Sequence, residues 1–255
     1  FGCKWCKTMT ENSTILRNGE AVIGSLSVHP FRDIDDAISH IISDDNRIHP
    51  GFAVAINAEK IISAGRDPNI LRTINSATLR YADGIGVVLV MRRKGIRSAR
   101  IPGVELWESL MARAEKSQLP VYLIGATPAV IEEVITRLRK QFPNISIAGY
   151  SHGYFDDENT ILENVNISTA RIITVGMGSP KQEFLIQRLR SIRPDCFYMG
   201  IGGTFDVFTG NVKRAPKLFR RLGLEWFYRV ISQPSRLRRQ RALPIFAWRA
   251  LRNQL

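Results

Sequence analysis

Short apolar runs alternate with helical patterns of apolar residues through the middle of the chain, from Phe52 to Cys196. The runs predict buried strands, and apolar positions three and four residues apart predict the helices between them. The predicted strands are 52–56, 79–81, 121–124, 145–148, 171–175 and 196–199, and the clearest predicted helices are 128–141 and 180–192. Strands that alternate with helices predict a single compact, Rossmann-like α/β fold with a mostly parallel sheet and flanking helices.

Two more elements are predicted ahead of this region. Residues 21–27 have the pattern of one strand, and the apolar residues between Ile34 and Ile42 have helical spacing. We therefore divide the chain into an N-terminal extension over 1–20, expected to be disordered, an α/β domain over 21–212, and a basic helical C-terminal appendage over 213–255.

The appendage carries most of the charge of the protein. Residues 213–255 hold twelve Lys and Arg against one acid, Glu225, which gives +11 of the formal +13. Large apolar rings lie between these cations, and burying so many unpaired cations in a core would be costly. Basic charge mixed with rings suits a polyanionic surface, either membrane headgroups or nucleic acid. Such an apolar tail could also associate with a second copy of the chain.

Composition excludes several classes of protein. No run of eighteen apolar residues occurs, so a membrane-spanning helix is not expected. Three cysteines are too few for a disulfide scaffold and favour a reducing compartment. The Asp33-Ile34-Asp35 motif is better explained by the start of a helix than by a metal, and the histidines lack ligand spacing. We predict neither a bound metal nor a cofactor.

Candidate chemistry lies in the loops that follow the predicted strands, where helix N-termini present unpaired N–H groups. Gly176–Glu183 places glycines, a serine and a proline at a helix start, which allows close approach of a phosphate or a sugar. Asp83 ends a strand beside Gly84 and Gly86, which leave room for a substrate. Its carboxylate suits either proton removal from an alcohol or an N-cap of the following helix.

Five motifs in order resemble those of the WecG/TagA/CpsF family of bacterial glycosyltransferases. They are N-A-E-K at 57–60, Y-A-D-G at 81–84, R-I-P-G at 100–103, M-G-S-P-K-Q-E at 177–183, and G-G-T-F-D-V-F-T-G-N-V-K-R-A-P at 202–216. The similarity runs from about Ala21 to the end of the chain. The segments L-G-L-E-W-F-Y-R at 222–229 and Q-P-S-R at 233–236 look most like the enteric branch of the family.

The resemblance implies an enzyme at the cytoplasmic face of the bacterial inner membrane, bound peripherally. It would transfer an N-acetylmannosamine-type sugar from UDP to a polyprenyl-diphosphate-linked GlcNAc, with inversion and without a required metal. In the enteric branch the sugar is N-acetyl-D-mannosaminuronic acid and the product is a lipid intermediate of enterobacterial common antigen. The teichoic-acid branch, with UDP-N-acetylmannosamine as donor, is the alternative.

The resemblance also implies roles for individual residues. Asp83 matches the proposed general base, and Arg100 matches an arginine that could stabilise charge on the diphosphate. The implied or inferred substrate-binding residues are Asn57, Gly125, Gly178, Lys181, Gln182, Gly203 and Thr204. The residues expected to meet an anionic membrane surface are Arg221, Arg229, Arg236, Arg238, Arg239 and Trp248.

Two other functions compete with this interpretation. A nucleic-acid-binding protein would use the basic tail on phosphates, and it would respond little to lipid; the transferase interpretation expects no nucleic acid. A nucleotide-dependent oxidoreductase is the weakest alternative, because no predicted strand is followed by G-x-G-x-x-G.

Overall fold

A computed structural model of the chain describes residues 16–17, 19–216, 219, 228 and 241–255. Most of the predicted N-terminal extension and the middle of the appendage lie outside the described residues. The described strands are β1 (Leu16–Arg17), β2 (Glu20–Ile23), β3 (Leu26–Val28), β4 (Gly51–Ile56), β5 (Leu79–Ala82), β6 (Val121–Gly125), β7 (Ile147–Ser151), β8 (Ile172–Gly176) and β9 (Phe197–Gly200).

The larger sheet has six strands in the order β5-β4-β9-β8-β6-β7, and every neighbouring pair is parallel. Its central strands are buried on both faces, as in β6, where all five residues are buried. Helices must cover both faces of such a sheet, and this requirement explains the continuous apolar runs in the sequence. The predicted α/β fold with a mostly parallel sheet is confirmed.

Helices lie on both faces of the six-stranded sheet. The described helices are α1 (Ile34–Ser39), α2 (Ala58–Ala64), α3 (Pro68–Asn75), α4 (Ile85–Arg93), α5 (Gly103–Lys116), α6 (Pro128–Gln141), α7 (Glu158–Ile167), α8 (Lys181–Ile192), α9 (Thr204–Phe208) and α10 (Ala242–Leu251). The buried apolar residues form two core clusters. One contains residues of α2, α3, α4, α7, α8 and α10, and the other contains residues of α1, α5, α6 and α9.

The chain leaves the neighbouring strands β6 and β8 toward opposite faces of the sheet. Helix α6 packs into one core cluster and leads on to β7, whereas α8 packs into the other and leads on to β9. Two loops therefore separate at the carboxyl ends of β6 and β8. This is the topological switch point at which open α/β sheets commonly bind ligands.

The prediction of one strand over 21–27 is wrong. The segment forms the antiparallel hairpin of β2 and β3, in which Ala21 faces Val28 and Gly24 turns the chain with φ +61°. This left-handed conformation suits glycine, so the apolar pattern continues through a turn. Strand β2 also pairs with Leu16–Arg17, so this small sheet includes residues that we assigned to the N-terminal extension.

Helix α10 packs against the α/β body. Pro244 lies in the first turn of this helix, where a backbone N–H would have no intrahelical partner, so the proline does not interrupt it. Phe246 is 4% exposed and lies in the core cluster to which α2 and α4 contribute. The Leu255 side chain lies beside Gly24, since a Cβ built on this glycine would be 3.6 Å from Leu255 Cδ2. Deleting residues 213–255 would therefore uncover part of this core cluster.

No helix in the described part of the chain is both long enough and apolar enough to cross a bilayer.

Candidate functional site

The predicted site residues that follow strands all lie at the carboxyl edge of the six-stranded sheet. Along this edge they follow the strand order from β5 to β6. Asp83 follows β5, Asn57 follows β4, Gly203 and Thr204 follow β9, Gly178, Lys181 and Gln182 follow β8, and Gly125 ends β6. Residues separated by up to 147 positions in the sequence are thus brought to one edge of the sheet.

Asp83 is half-buried and lies beside the start of α5. The Gly103 N–H donates to Asp83 Oδ1 at 3.4 Å, and the Asp83 N–H donates to the Ile56 carbonyl at 3.0 Å. The N-cap of α4 is Gly84, which makes no side-chain cap hydrogen bond. Of the two interpretations of Asp83, the N-cap of α4 is therefore not the one seen, and the carboxylate faces the first residue of α5.

Arg100 lies on the segment that runs beside the end of β5. The Ile101 N–H donates to the Ala82 carbonyl at 2.8 Å. Because Ala82 precedes Asp83 in the chain, this hydrogen bond holds the segment that contains Arg100 close to Asp83. Arg100 is half-buried. The two residues predicted to be catalytic therefore share one end of the carboxyl edge, although their sequence positions differ by 17.

The glycines beside Asp83 do not leave open space. A Cβ on Gly86 would lie 3.0 Å from a ring carbon of Phe246, and a Cβ on Gly84 would lie 3.3 Å from Cβ of Asn57. Our interpretation that they make room for a substrate is wrong for Gly86, since this glycine allows α10 to pack closely on α4. Asn57 itself is the N-cap of α2 and accepts from the Lys60 N–H at 3.0 Å.

Gln182 is buried, and its amide joins two of the glycine-rich loops. Its Oε1 accepts from the Gly178 N–H at 3.2 Å and from the Gly202 N–H at 2.9 Å. A Cβ on Gly200 would lie 2.6 Å from Gln182 Nε2, so the amide fits only against glycine. The structure therefore gives Gln182 a role in fixing the loops after β8 and β9, while its contact with substrate stays a prediction.

The remaining predicted substrate-binding residues differ in exposure. Lys181 and Gly203 are exposed at the starts of α8 and α9. Thr204 is 2% exposed, and its hydroxyl donates to the Ile201 carbonyl at 2.7 Å. Lys181 and Gly203 are thus open to a ligand, whereas the Thr204 hydroxyl already has a protein partner.

Three buried polar residues near these loops carried no predicted role. Lys60 Nζ lies 2.7 Å from Glu183 Oε1, with the two side chains 9% and 2% exposed. Tyr81 is fully buried, and its hydroxyl has no hydrogen-bond partner in the described structure. Burial raises the pKa of Tyr81, and the charges of Asp83 and Glu183 raise it further, so the phenol stays protonated. Lys60 and Glu183 belong to quoted motifs, but nothing in their spacing indicates that they meet.

The residues predicted to meet a membrane can be placed only in part. Trp248 on α10 is 49% exposed, and the Arg252 guanidinium lies 4.1 Å from its ring centroid. The five arginines of that prediction, which are Arg221, Arg229, Arg236, Arg238 and Arg239, lie outside the described residues.

The described residues do not form a cluster of metal ligands. No group of three His, Cys, Asp or Glu side chains among them could hold a metal ion. Asp33 instead caps α1, since its carboxylate accepts from the Asp36 N–H at 2.8 Å. This confirms that the Asp33-Ile34-Asp35 motif starts a helix. Cys196 is buried and donates to the Ala170 carbonyl, and burial raises its pKa to about 11.

A doubly wound parallel sheet, with an acid, an arginine and glycine-rich loops at its carboxyl edge, defines an α/β enzyme of the Rossmann-like type. The sequence model of the Glycosyl transferase WecG/TagA/CpsF family matches residues 23–255. The chain therefore belongs to this family, and the protein is a glycosyltransferase. Membership implies polysaccharide biosynthesis with a sugar donor and a lipid-linked acceptor. It does not favour the nucleic-acid alternative.

Proposed function

We propose that the protein transfers N-acetyl-D-mannosaminuronic acid from UDP to a polyprenyl-diphosphate-linked GlcNAc. The placement of Asp83 near Arg100, on the same carboxyl edge as the glycine-rich loops, carries the proposal in a chain that belongs to this family. The sugar is assigned from the segments at 222–229 and 233–236, which resemble the enteric branch. The product would be a lipid intermediate of enterobacterial common antigen.

The proposed reaction is one displacement with inversion. Asp83 takes the proton from O4 of the acceptor GlcNAc as that oxygen attacks the anomeric carbon of the donor. The bond from this carbon to the β-phosphate oxygen breaks, and UDP leaves with the electron pair. In this metal-free scheme, Arg100, Lys181 and backbone N–H groups near Gly178 would stabilise the charge that develops on the diphosphate.

Donor choice tests the sugar assignment. We expect UDP release with UDP-N-acetyl-D-mannosaminuronic acid and a short-chain acceptor in EDTA, with kcat/KM at least about 100-fold above that for UDP-N-acetylmannosamine. The reason is that a site built for a carboxylate leaves its polar groups unpaired with the neutral sugar. The opposite preference would keep the family and assign the teichoic-acid type. No turnover with either donor would refute the proposed function, and activity only after metal addition would refute the metal-free scheme.

We propose that the enzyme acts at the cytoplasmic face of the inner membrane, held there by its basic tail. Each cation near an anionic surface contributes about 1 kcal/mol, so replacing Arg236, Arg238 and Arg239 with Gln would cost about 3 kcal/mol. We expect binding to phosphatidylglycerol vesicles to weaken by roughly 100-fold, measured by flotation at constant salt.

A matched variant controls for net charge. Arg66, Arg139 and Lys140 are exposed on the α/β body, and their replacement with Gln removes the same charge. We expect this control to float with vesicles like the unmodified protein. Equal losses in the two triple variants would mean that overall charge, and not the tail, attracts the protein to the vesicles.

A further inference from the structure

A buried ion pair connects two helices whose N-termini carry predicted site residues. Lys60 lies in the first turn of α2, just after Asn57, and Glu183 lies in the first turn of α8, next to Gln182. Lys60 Nζ and Glu183 Oε1 are 2.7 Å apart, and both side chains are less than 10% exposed. The pair therefore connects the first turns of the two helices that follow the loops after β4 and β8.

Glu183 also orients Gln182. The same Oε1 atom accepts from Gln182 Nε2 at 3.1 Å, while Gln182 Oε1 accepts from the N–H groups of Gly178 and Gly202. The hydrogen bond to the carboxylate distinguishes the two ends of the amide, so that the oxygen faces the loops. One chain of polar contacts thus runs from Lys60 to the backbone of both glycine-rich loops.

The charge state of Glu183 suits this arrangement. Burial alone would raise the pKa of its carboxyl group, but the Lys60 charge and the hydrogen bonds from Lys60 and Gln182 lower it below the ordinary value. An ionised carboxylate accepts hydrogen bonds and donates none. Glu183 can therefore hold both the ammonium and the amide nitrogen at one oxygen.

Stability gives little reason to keep such a pair. Removing two charges from water costs free energy, and the attraction between them does not always offset this cost. A protein with an apolar pair of similar volume at such a position is often as stable. An apolar pair would, however, leave Gln182 Nε2 without its acceptor. The polar pair has a consequence for loop geometry that an apolar pair would lack.

We propose that Lys60 and Glu183 are positioning residues for donor binding, because they orient the Gln182 amide that fixes the loops after β8 and β9 around the UDP-sugar. The inference rests on the proposed function, in which these loops bind the donor diphosphate. Neither residue touches the reacting atoms in this account. Their effect on the reaction passes through Gln182 and the two loops.

Two double variants separate positioning from stability. Lys60→Met with Glu183→Leu replaces the pair by apolar side chains and removes the acceptor of Gln182 Nε2. Lys60→Met with Glu183→Gln also removes both charges, but it keeps an amide oxygen for Gln182. We expect both to unfold in urea near the midpoint of the unmodified protein, whereas each single variant with one unpaired buried charge unfolds earlier.

The expected difference is in donor affinity. The Leu-containing double variant should show at least a 10-fold higher Kd for UDP, by calorimetric titration, and a similarly raised KM for the UDP-sugar. The Gln-containing double variant should stay within about threefold of the unmodified protein, since the Gln182 acceptor is restored. Lys94→Met is the control, because Lys94 is a partly buried lysine at the far end of α4 that donates to the Val22 carbonyl. It should leave the UDP Kd unchanged.

The outcomes are distinct from those for the proposed function. If both double variants bind UDP as the unmodified protein does, the pair is only structural and the inference is wrong. If the two doubles lose UDP affinity equally, Gln182 orientation is not the cause and the inference is also wrong. If the unmodified protein binds UDP but transfers neither sugar, the proposed function fails, while the UDP Kd values still decide the role of the pair.

Discussion

Replacing Asp83 with Asn is expected to lower kcat about 1,000-fold while UDP binds nearly as before. A sugar hydroxyl cannot ionise at neutral pH, so its proton must leave as the new bond forms, and a positioned base contributes about 100- to 10,000-fold to such a step. Asn has the same shape and can still accept from the Gly103 N–H, but it cannot take a proton. Single-turnover UDP release with saturating donor and acceptor would measure the loss.

Asp67→Asn provides the matched control. Asp67 is the N-cap of α3 and accepts from the Asn69 N–H at 2.8 Å, a role that asparagine fills equally well. We expect this variant to keep normal kcat and stability. Near-normal turnover by Asp83→Asn would remove Asp83 as the base, and a raised KM with unchanged kcat would make it a substrate-binding residue instead.

Replacing Gly125 with Ala is expected to destabilise the fold by more than about 4 kcal/mol, beyond the usual range for single substitutions. The added Cβ would lie 2.4 Å from the carbonyl oxygen of Gly176 and under 3 Å from two more of its backbone atoms. Backbone of a central strand cannot move aside as a flexible side chain can. Gly125 also has φ +135°, which disfavours any other residue. Urea unfolding followed by circular dichroism would give the free energy of unfolding.

Gly95→Ala separates the backbone conformation from the collision. Gly95 has φ +79°, and no atom lies within 4 Å of a Cβ placed there. Its replacement should cost about 1–2 kcal/mol, the ordinary penalty of a left-handed residue. If Gly125→Ala cost no more than this, β6 and β8 would have to separate at the switch point without loss of stability.

Sequence reasoning predicted the α/β framework, and the edge of the sheet at which the candidate residues lie, because both depend on local signals. Helix α6 begins and ends where predicted, since Pro128 sets its first turn and apolar spacing continues to its end. The carboxyl edge follows from strand direction alone, since every loop that leaves a parallel strand opens on the same side. This is why Asn57, Asp83 and Gln182 could be placed at one edge of the sheet without a structure, while their contact with substrate stays a prediction.

The rest depends on contacts that no local pattern records. Lys60 and Glu183 are separated by 123 positions, and each looks like an ordinary surface residue of a helix start. Gln182 and Thr204 have the polarity of ligand-binding residues, but only the fold shows that their polar groups already bond to protein. The hairpin of β2 and β3 was missed because Gly24 turns the chain inside a continuous apolar pattern.

The packing of α10 on the α/β body also affects how the enzyme would be oriented on a bilayer that binds its basic tail. Pro216 follows the buried Ala215, and Arg241 precedes the helix that buries Phe246, so the cationic residues between them belong to a segment joined to the body at both ends. A bilayer that binds this segment is connected to the body at two points. A domain attached by one flexible linker can rotate freely above the lipid. Attachment at two points restricts which side of the domain faces the bilayer.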